Sequence, residues 1–159
     1  MSIIDTLNDL LKIEHTAANL YATQSNCAAF AGYAKLAERL GEEAEEERGH
    51  VTKLTTRILQ LGGVPRVEFE PIDATEDVQI MLEQGMDLET RAKAAYNLSI
   101  ADIGDGSNSP GAPEGAGDHG TRIILEEIQH DTEGHILWLM QQQSLVERLG
   151  LQNYLTTLV

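Results

Sequence analysis

Apolar residues recur along this chain at spacings of three and four, the period of a helix with one buried face. Leu7, Leu10, Leu11, Ala18 and Tyr21 share one stripe and predict a helix over 3–26. Leu36, Leu40, Leu54, Ile58 and Leu61 share another and predict a second helix over 28–61. Gly62-Gly63 stops it, and Pro65 and Pro71 keep the chain extended to about Thr75. Thr75-Glu76-Asp77 reads as a helix start. The third helix runs from there to about Ala101, with Val78, Met81, Leu82, Ala92 and Tyr96 inward. Residues 104–121 are rich in Gly, Pro and Ser and have no periodicity. A fourth helix is predicted over 121–148, with Ile124, Ile128, Leu139, Leu145 and Leu149 on its apolar face. Gly150 ends it, and 151–159 is long enough for one short further helix.

Four long amphipathic helices with no convincing strand argue an all-α fold, a four-helix bundle within a single domain over 1–159. The turn near Asn26-Cys27 is short, which makes the first two helices antiparallel neighbours. The joint at 62–76 is different. At roughly 3.3 Å per extended residue it can run the length of a bundle. A long crossover between helices two and three is therefore expected, in place of simple up-down-up-down.

Acids and histidines interrupt the apolar stripes. Glu14 stands on the first, Glu47 on the second with His50 one turn on, Glu89 on the third and His135 on the fourth. A carboxylate in a core stripe is costly unless something pairs with it. Singly, each has a plain explanation: a snorkelling acid, or a Glu-x-x-His on a solvated face. Together they place a metal-capable side chain near the middle of every helix. Three carboxylates and two imidazoles suit iron or manganese, and less selectively zinc.

Bundles with dinuclear carboxylate centres take one Glu from each of two helices and a Glu-x-x-His from each of the other two. The fourth helix departs from that pattern. Thr132 stands three residues before His135. Asp131 is near the same face but rotated by about 100° from Thr132, and Glu133 is on the far side. One of six ligands is missing or displaced, and Asp131 is the candidate replacement. Glu42, Glu45 and Glu46 are read as solvated, as part of a charged face from Glu42 to Glu47. His15, His119 and His130 are expected in surface or capping roles, and Trp138 in the core. Tyr21 and Tyr96 either bond buried carboxylates or fill the core.

Charge narrows the partners. Lys+Arg is 11 against 26 Asp+Glu, a formal net charge of −15. That excludes nucleic acid and an anionic membrane surface as partners, since both call for a cationic face. It suits a protein that handles cations, though from charge alone plain solubility is the preferred reading. Cys27 is the single cysteine, so there is no internal disulfide or multi-cysteine metal site, and a reducing cytoplasmic location is expected. No run of about 18 apolar residues predicts a membrane span, and the N-terminus lacks a signal-peptide pattern.

At this level of detail the chain resembles a bacterioferritin. Leu10-Leu11-Lys12-Ile13-Glu14 with Tyr21 resembles the family's first helix, and Glu47-Arg48-Gly49-His50 with Arg57 to Gly63 its second. Glu76-Asp77-Val78, Met81-Leu82 and Leu88-Glu89 resemble the third. Glu133-Gly134-His135-Ile136 with Trp138-Leu139 resembles the fourth, and Gly150 to Leu155 the terminal motif. The resemblance implies a ferritin-like bundle and a hollow homo-oligomeric cage that oxidises Fe²⁺ and stores ferric iron. It implies that Glu14, Glu47, His50, Glu89 and His135 fall on di-iron ferroxidase positions, with Thr132 on the sixth.

Three departures qualify the resemblance. Thr132 supplies no negative charge, which puts ferroxidase activity in doubt. It leaves open an impaired subunit that co-assembles with a competent ferritin partner. Arg48 stands where the family places a methionine that ligates haem between subunits, so haem in that mode is not expected. The 104–121 segment is longer than the family's connection. A rubrerythrin-type oxidase is disfavoured by the absence of cysteine pairs. A DNA-protecting mini-cage is disfavoured because its metal ligands lie between subunits.

Overall fold

A computed structural model describes residues 2–104 and 117–159. Its described residues form five helices and no strand: α1 (Ile3–Phe30), α2 (Ala34–Gln60), α3 (Val78–Gly104), α4 (His119–Leu149) and α5 (Leu151–Thr156). The all-α bundle with a short C-terminal helix expected from the periodicity is the observed architecture. Of the loop expected at 104–121, residues 105–116 lie outside the described residues. Its last residues already belong to α4, where Asp118 caps the helix by accepting from the Thr121 amide at 3.0 Å.

The first turn comes later than expected. Asn26-Cys27 holds no helix breaker, and Ala28 is fully buried, so α1 continues to Phe30. The chain reverses through Ala31-Gly32-Tyr33, with Gly32 at φ 91°. α2 ends where the two glycines predict. Gly62 takes φ 78° and the Gly63 amide donates to the Ile58 carbonyl at 2.9 Å, closing the helix end. A Cβ on Gly63 would lie 2.7 Å from Ile4 Cγ2, so close packing against α1 also requires glycine here.

The crossover runs along α1, fastened by buried polar residues of that helix. Asn8 donates to the Val64 carbonyl at 3.1 Å and accepts from the Arg66 amide at 2.7 Å. Thr16 accepts from the Glu70 amide at 2.9 Å. α3 then begins beside the C-terminal half of α1, where Gln24 donates to the Met81 carbonyl at 3.3 Å. It runs back antiparallel to α1, and parallel to α2. α1 packs along α2 and α3 along α4, with α1 against α3 and α2 against α4 closing the bundle.

The core is divided. One apolar cluster holds Leu20, Leu36, Leu40, Met81, Leu82 and Leu139, and is capped by Tyr154 of α5. The other holds Leu7, Leu11, Leu54, Ile58, Leu125 and Ile128. Between them lies a layer of buried polar side chains. The tail is held by the Lys35 amide donating to the Leu158 carbonyl at 2.9 Å.

The inward face expected for α4 needs correction. Leu145 and Leu149 are exposed, not on the apolar face. The inward face continues from Leu139 through Gln142, Gln143 and Val146, which leaves Leu145 one residue, about 100°, out of line. At the other end Leu125 fills the core while Ile124 is half-buried. Trp138 is also half-buried: it packs against the core edge with the Arg39 guanidinium 5.0 Å over its ring.

Candidate metal centre

Glu14, Glu47, His50, Glu89 and His135 are all buried, each with under 5 % of its surface exposed. They come from all four helices because each sits where its helix's core stripe crosses the polar layer. The structure brings all five together.

Glu47 is the shared member. His50 Nδ1 lies 2.9 Å from Glu47 Oε2 and 3.1 Å from Glu14 Oε2. His135 Nδ1 lies 3.0 Å from Glu47 Oε1 and 3.3 Å from Glu89 Oε1. Two triads result, Glu14–Glu47–His50 and Glu47–Glu89–His135, each compact enough for one ion. The imidazoles face one another with centroids 6.4 Å apart and planes 26° from parallel. Both tyrosines serve the centre. Tyr96 donates its phenolic hydrogen to Glu14 Oε1 at 2.5 Å, and Tyr21 donates to Glu89 Oε1 at 2.5 Å. These bonds fix the carboxylates, and the apolar clusters above and below exclude water.

The electrostatics follow from burying like charges together. Burial, and then the neighbouring Glu47 carboxylate, push Glu14 up to about 8. Glu47 is lowered: burial acts to raise it, but hydrogen bonds from His135 and His50 outweigh that. Burial acts to lower His50, yet its bonds to Glu14 and Glu47 win and raise it to about 10. His135 is raised as well, with Glu43, Glu47 and Glu89 overcoming its burial. Burial and the adjacent carboxylates likewise raise both tyrosines well above their ordinary value. Without metal the centre therefore holds protons in the places where cations would bind.

The outer imidazole nitrogens face a second set of acids. His50 Nε2 lies 3.1 Å from Asp131 Oδ2. Asp131 thus approaches His50 on its outer nitrogen, where Glu46, His50 and Asp131 form a further group compact enough for one ion. Thr132 is buried, but its hydroxyl donates to the Ile128 carbonyl at 3.0 Å within its own helix. His135 Nε2 lies 2.6 Å from Glu43 Oε2 and 3.1 Å from Glu46 Oε2. Glu42, Glu45 and Glu46 are exposed as expected, yet the Glu46 carboxylate still reaches the site.

Glu43 is the residue that sequence reasoning missed. It is buried, although the run around it reads as a charged outer face. The signal was its spacing: three residues after Leu40 and four before Glu47, on the core stripe. Arg48 is exposed and paired with Glu45. Glu133 pairs with Lys93 at 3.1 Å, away from the centre.

Residues 4–149 match the ferritin family, described as a ferritin-like domain. A bacterial ferritin of Pseudomonas aeruginosa is 39 % identical over 154 residues, covering 96 % of this chain and 94 % of the relative. A bacterioferritin of Brucella melitensis is 31 % identical over 153 residues, covering 96 % and 89 %. The chain belongs to the bacterioferritin family. Bacterioferritins are iron-storage proteins of the ferritin-like class, and the backbone agrees with theirs. The solved Rhodobacter capsulatus bacterioferritin superposes with a TM-score of 0.89 at 29 % identity, covering 100 % of this chain and 96 % of that one. That structure is described as having a metal-free dinuclear site and haem iron in a crystallographic special position. No helix among the described residues is long and apolar enough to cross a membrane.

Proposed function

We propose that this bacterioferritin-family chain is an iron-storage cage subunit. It takes Fe²⁺ as substrate at a dinuclear site within each bundle and passes ferric iron on for storage. The observation that carries this reading is the division of Glu47 between two imidazoles, one carboxylate oxygen to each. A carboxylate so placed is in position to bridge two ions, each held by one further carboxylate and one imidazole. Glu14 and His50 complete the first position. Glu89 and His135 complete the second. Asp131 serves His50 from outside as an orienting carboxylate.

The donor set fits iron: three buried carboxylates and two buried imidazoles, hard oxygen and borderline nitrogen together. Each Fe²⁺ gives up one electron to dioxygen or peroxide. The residues bind and orient the ions, and release protons as they bind. The −15 charge draws cations to the cage. Haem is not part of this proposal, since Arg48 offers no thioether and its guanidinium is engaged with Glu45.

Anaerobic Fe²⁺ titration followed by stopped-flow oxidation tests the reading. Wild type shows saturable binding and a fast phase, and Glu47→Ala shows neither. Equal slow oxidation in both rejects it.

One observation favours a second reading. The Thr132 hydroxyl is spent on its own helix, so α4 supplies His135 alone where α2 supplies both Glu47 and His50. A subunit impaired in this way would work as a structural member of a mixed cage with a competent ferritin. On that reading Thr132→Glu creates fast oxidation that wild type lacks. If wild type is already fast and the substitution changes nothing, the mixed-cage reading fails.

A further inference from the structure

Glu43 is only 2 % exposed, and neither of its carboxylate oxygens makes a hydrogen bond of good geometry. A carboxylate buried in this state is costly unless charges nearby compensate it. Two do. Arg39, one turn earlier on α2, pairs with Oε1, and His135 Nε2 lies 2.6 Å from Oε2. Arg39 is anchored in turn by Trp138, which lies one turn beyond His135 on α4. The guanidinium, the carboxylate and the imidazole thus form a chain from α2 to α4 that ends on the outer nitrogen of His135.

This chain matters because of Thr132. The first ion position has Glu14, Glu47 and His50. The second has Glu89, the shared Glu47 and His135. With threonine at 132, α4 contributes His135 alone to the centre, where α2 contributes both Glu47 and His50. An imidazole ring that rotates loses its inward nitrogen, and a carboxylate on the outer N–H both prevents rotation and makes the ring a stronger donor. Glu46 makes the hydrogen bond to the outer nitrogen, at 3.1 Å, but its side chain is 45 % exposed and its charge is screened by solvent, whereas the Glu43 charge is buried.

We propose that Glu43, anchored by Arg39, is the positioning residue that keeps His135 turned with Nδ1 into the centre, and that it sustains the second ion position in the absence of a ligand at Thr132. The inference rests on the dinuclear reading of the site.

The test is an anaerobic Co²⁺ titration of the full chain, read by the visible absorption of bound Co²⁺ and by the number of ions per chain. Wild type is expected to bind two. In Glu43→Ala one of the two weakens by about 10- to 100-fold while the other is unchanged. Glu43→Gln falls between, because it keeps a polar oxygen beside His135 Nε2 without the charge. It also keeps the volume of the buried side chain, so it decides the matter if the alanine variant does not fold. Two ions bound as in wild type, or both weakened alike, overturn the inference. Glu47→Ala in the same titration tests the underlying reading. Unchanged binding there removes the centre and the inference together. Lost binding there, with Glu43→Ala unchanged, removes only the inference.

Discussion

Glu47 Oε1 lies 3.0 Å from His135 Nδ1, across the bundle from the helix that carries Glu47. This one contact joins the two triads. It makes α2 and α4, which share less packing than α1 with α2 or α3 with α4, meet at the polar layer. Several consequences can be measured.

Removing Glu47 should abolish both ion positions, not one. Glu14→Ala should remove mainly the first and Glu89→Ala mainly the second. Ion counts from anaerobic titration, compared across the three variants, check this. Equal loss of a single ion in all three would contradict a bridging role for Glu47.

Metal binding should release protons and strengthen as pH rises. Without metal, Glu14 stays protonated up to about 8 and His50 up to about 10. A cation bound by these groups displaces those protons. Calorimetry of Co²⁺ binding in buffers of different ionisation enthalpy should show proton release below pH 8, with affinity falling as the solution is acidified.

The metal-free fold should lose stability as pH rises. Above the ordinary carboxylate range the unfolded Glu14 gives up its proton while the folded one keeps it to about 8. Between the ordinary imidazole value and about 10 the same holds for His50. In both windows the folded state binds more protons than the unfolded, so unfolding becomes easier with pH. The His50 contribution is complete below pH 6.5 and gone above about 10. Urea unfolding from pH 5 to 9 checks the slope, and added Co²⁺ should oppose it.

Tyr96→Phe deletes the donor to Glu14 and leaves a buried carboxyl one bond short. The expected cost to the metal-free fold is about 1–3 kcal/mol. Tyr21→Phe should behave alike through Glu89. Denaturant midpoints measure both, with Leu54→Ala, expected to cost about 2–5 kcal/mol by opening a cavity, as the core control.

Thr132→Glu should split stability from binding. With no metal it adds a buried acid beside Glu47 and Glu89 and lowers the midpoint. With metal it supplies a further ligand and tightens the second ion. A midpoint that falls without Co²⁺ and rises above wild type with it is the expected pattern.

Much of this was legible in the residues themselves. The period of Leu7, Leu10, Leu11 and Tyr21, the Gly62-Gly63 stop and the length of the following extended segment sufficed for the helices, their order and the crossover. The five inward donors stood out because a charged residue in an apolar stripe is costly unless it is used. Periodicity is local, and it carries those features. It ends α1 near Cys27, though no breaker stands there, and it turns Leu145 inward, because a drift of one residue in face is invisible without a neighbour to pack on. Only the folded bundle decided which nitrogen of each imidazole turns inward, and that Asp131 meets His50 while Glu43 meets His135. Those choices depend on contacts between helices far apart in the chain. Pairing of charges across a buried interface is settled by distance in space, to which spacing along one helix is blind.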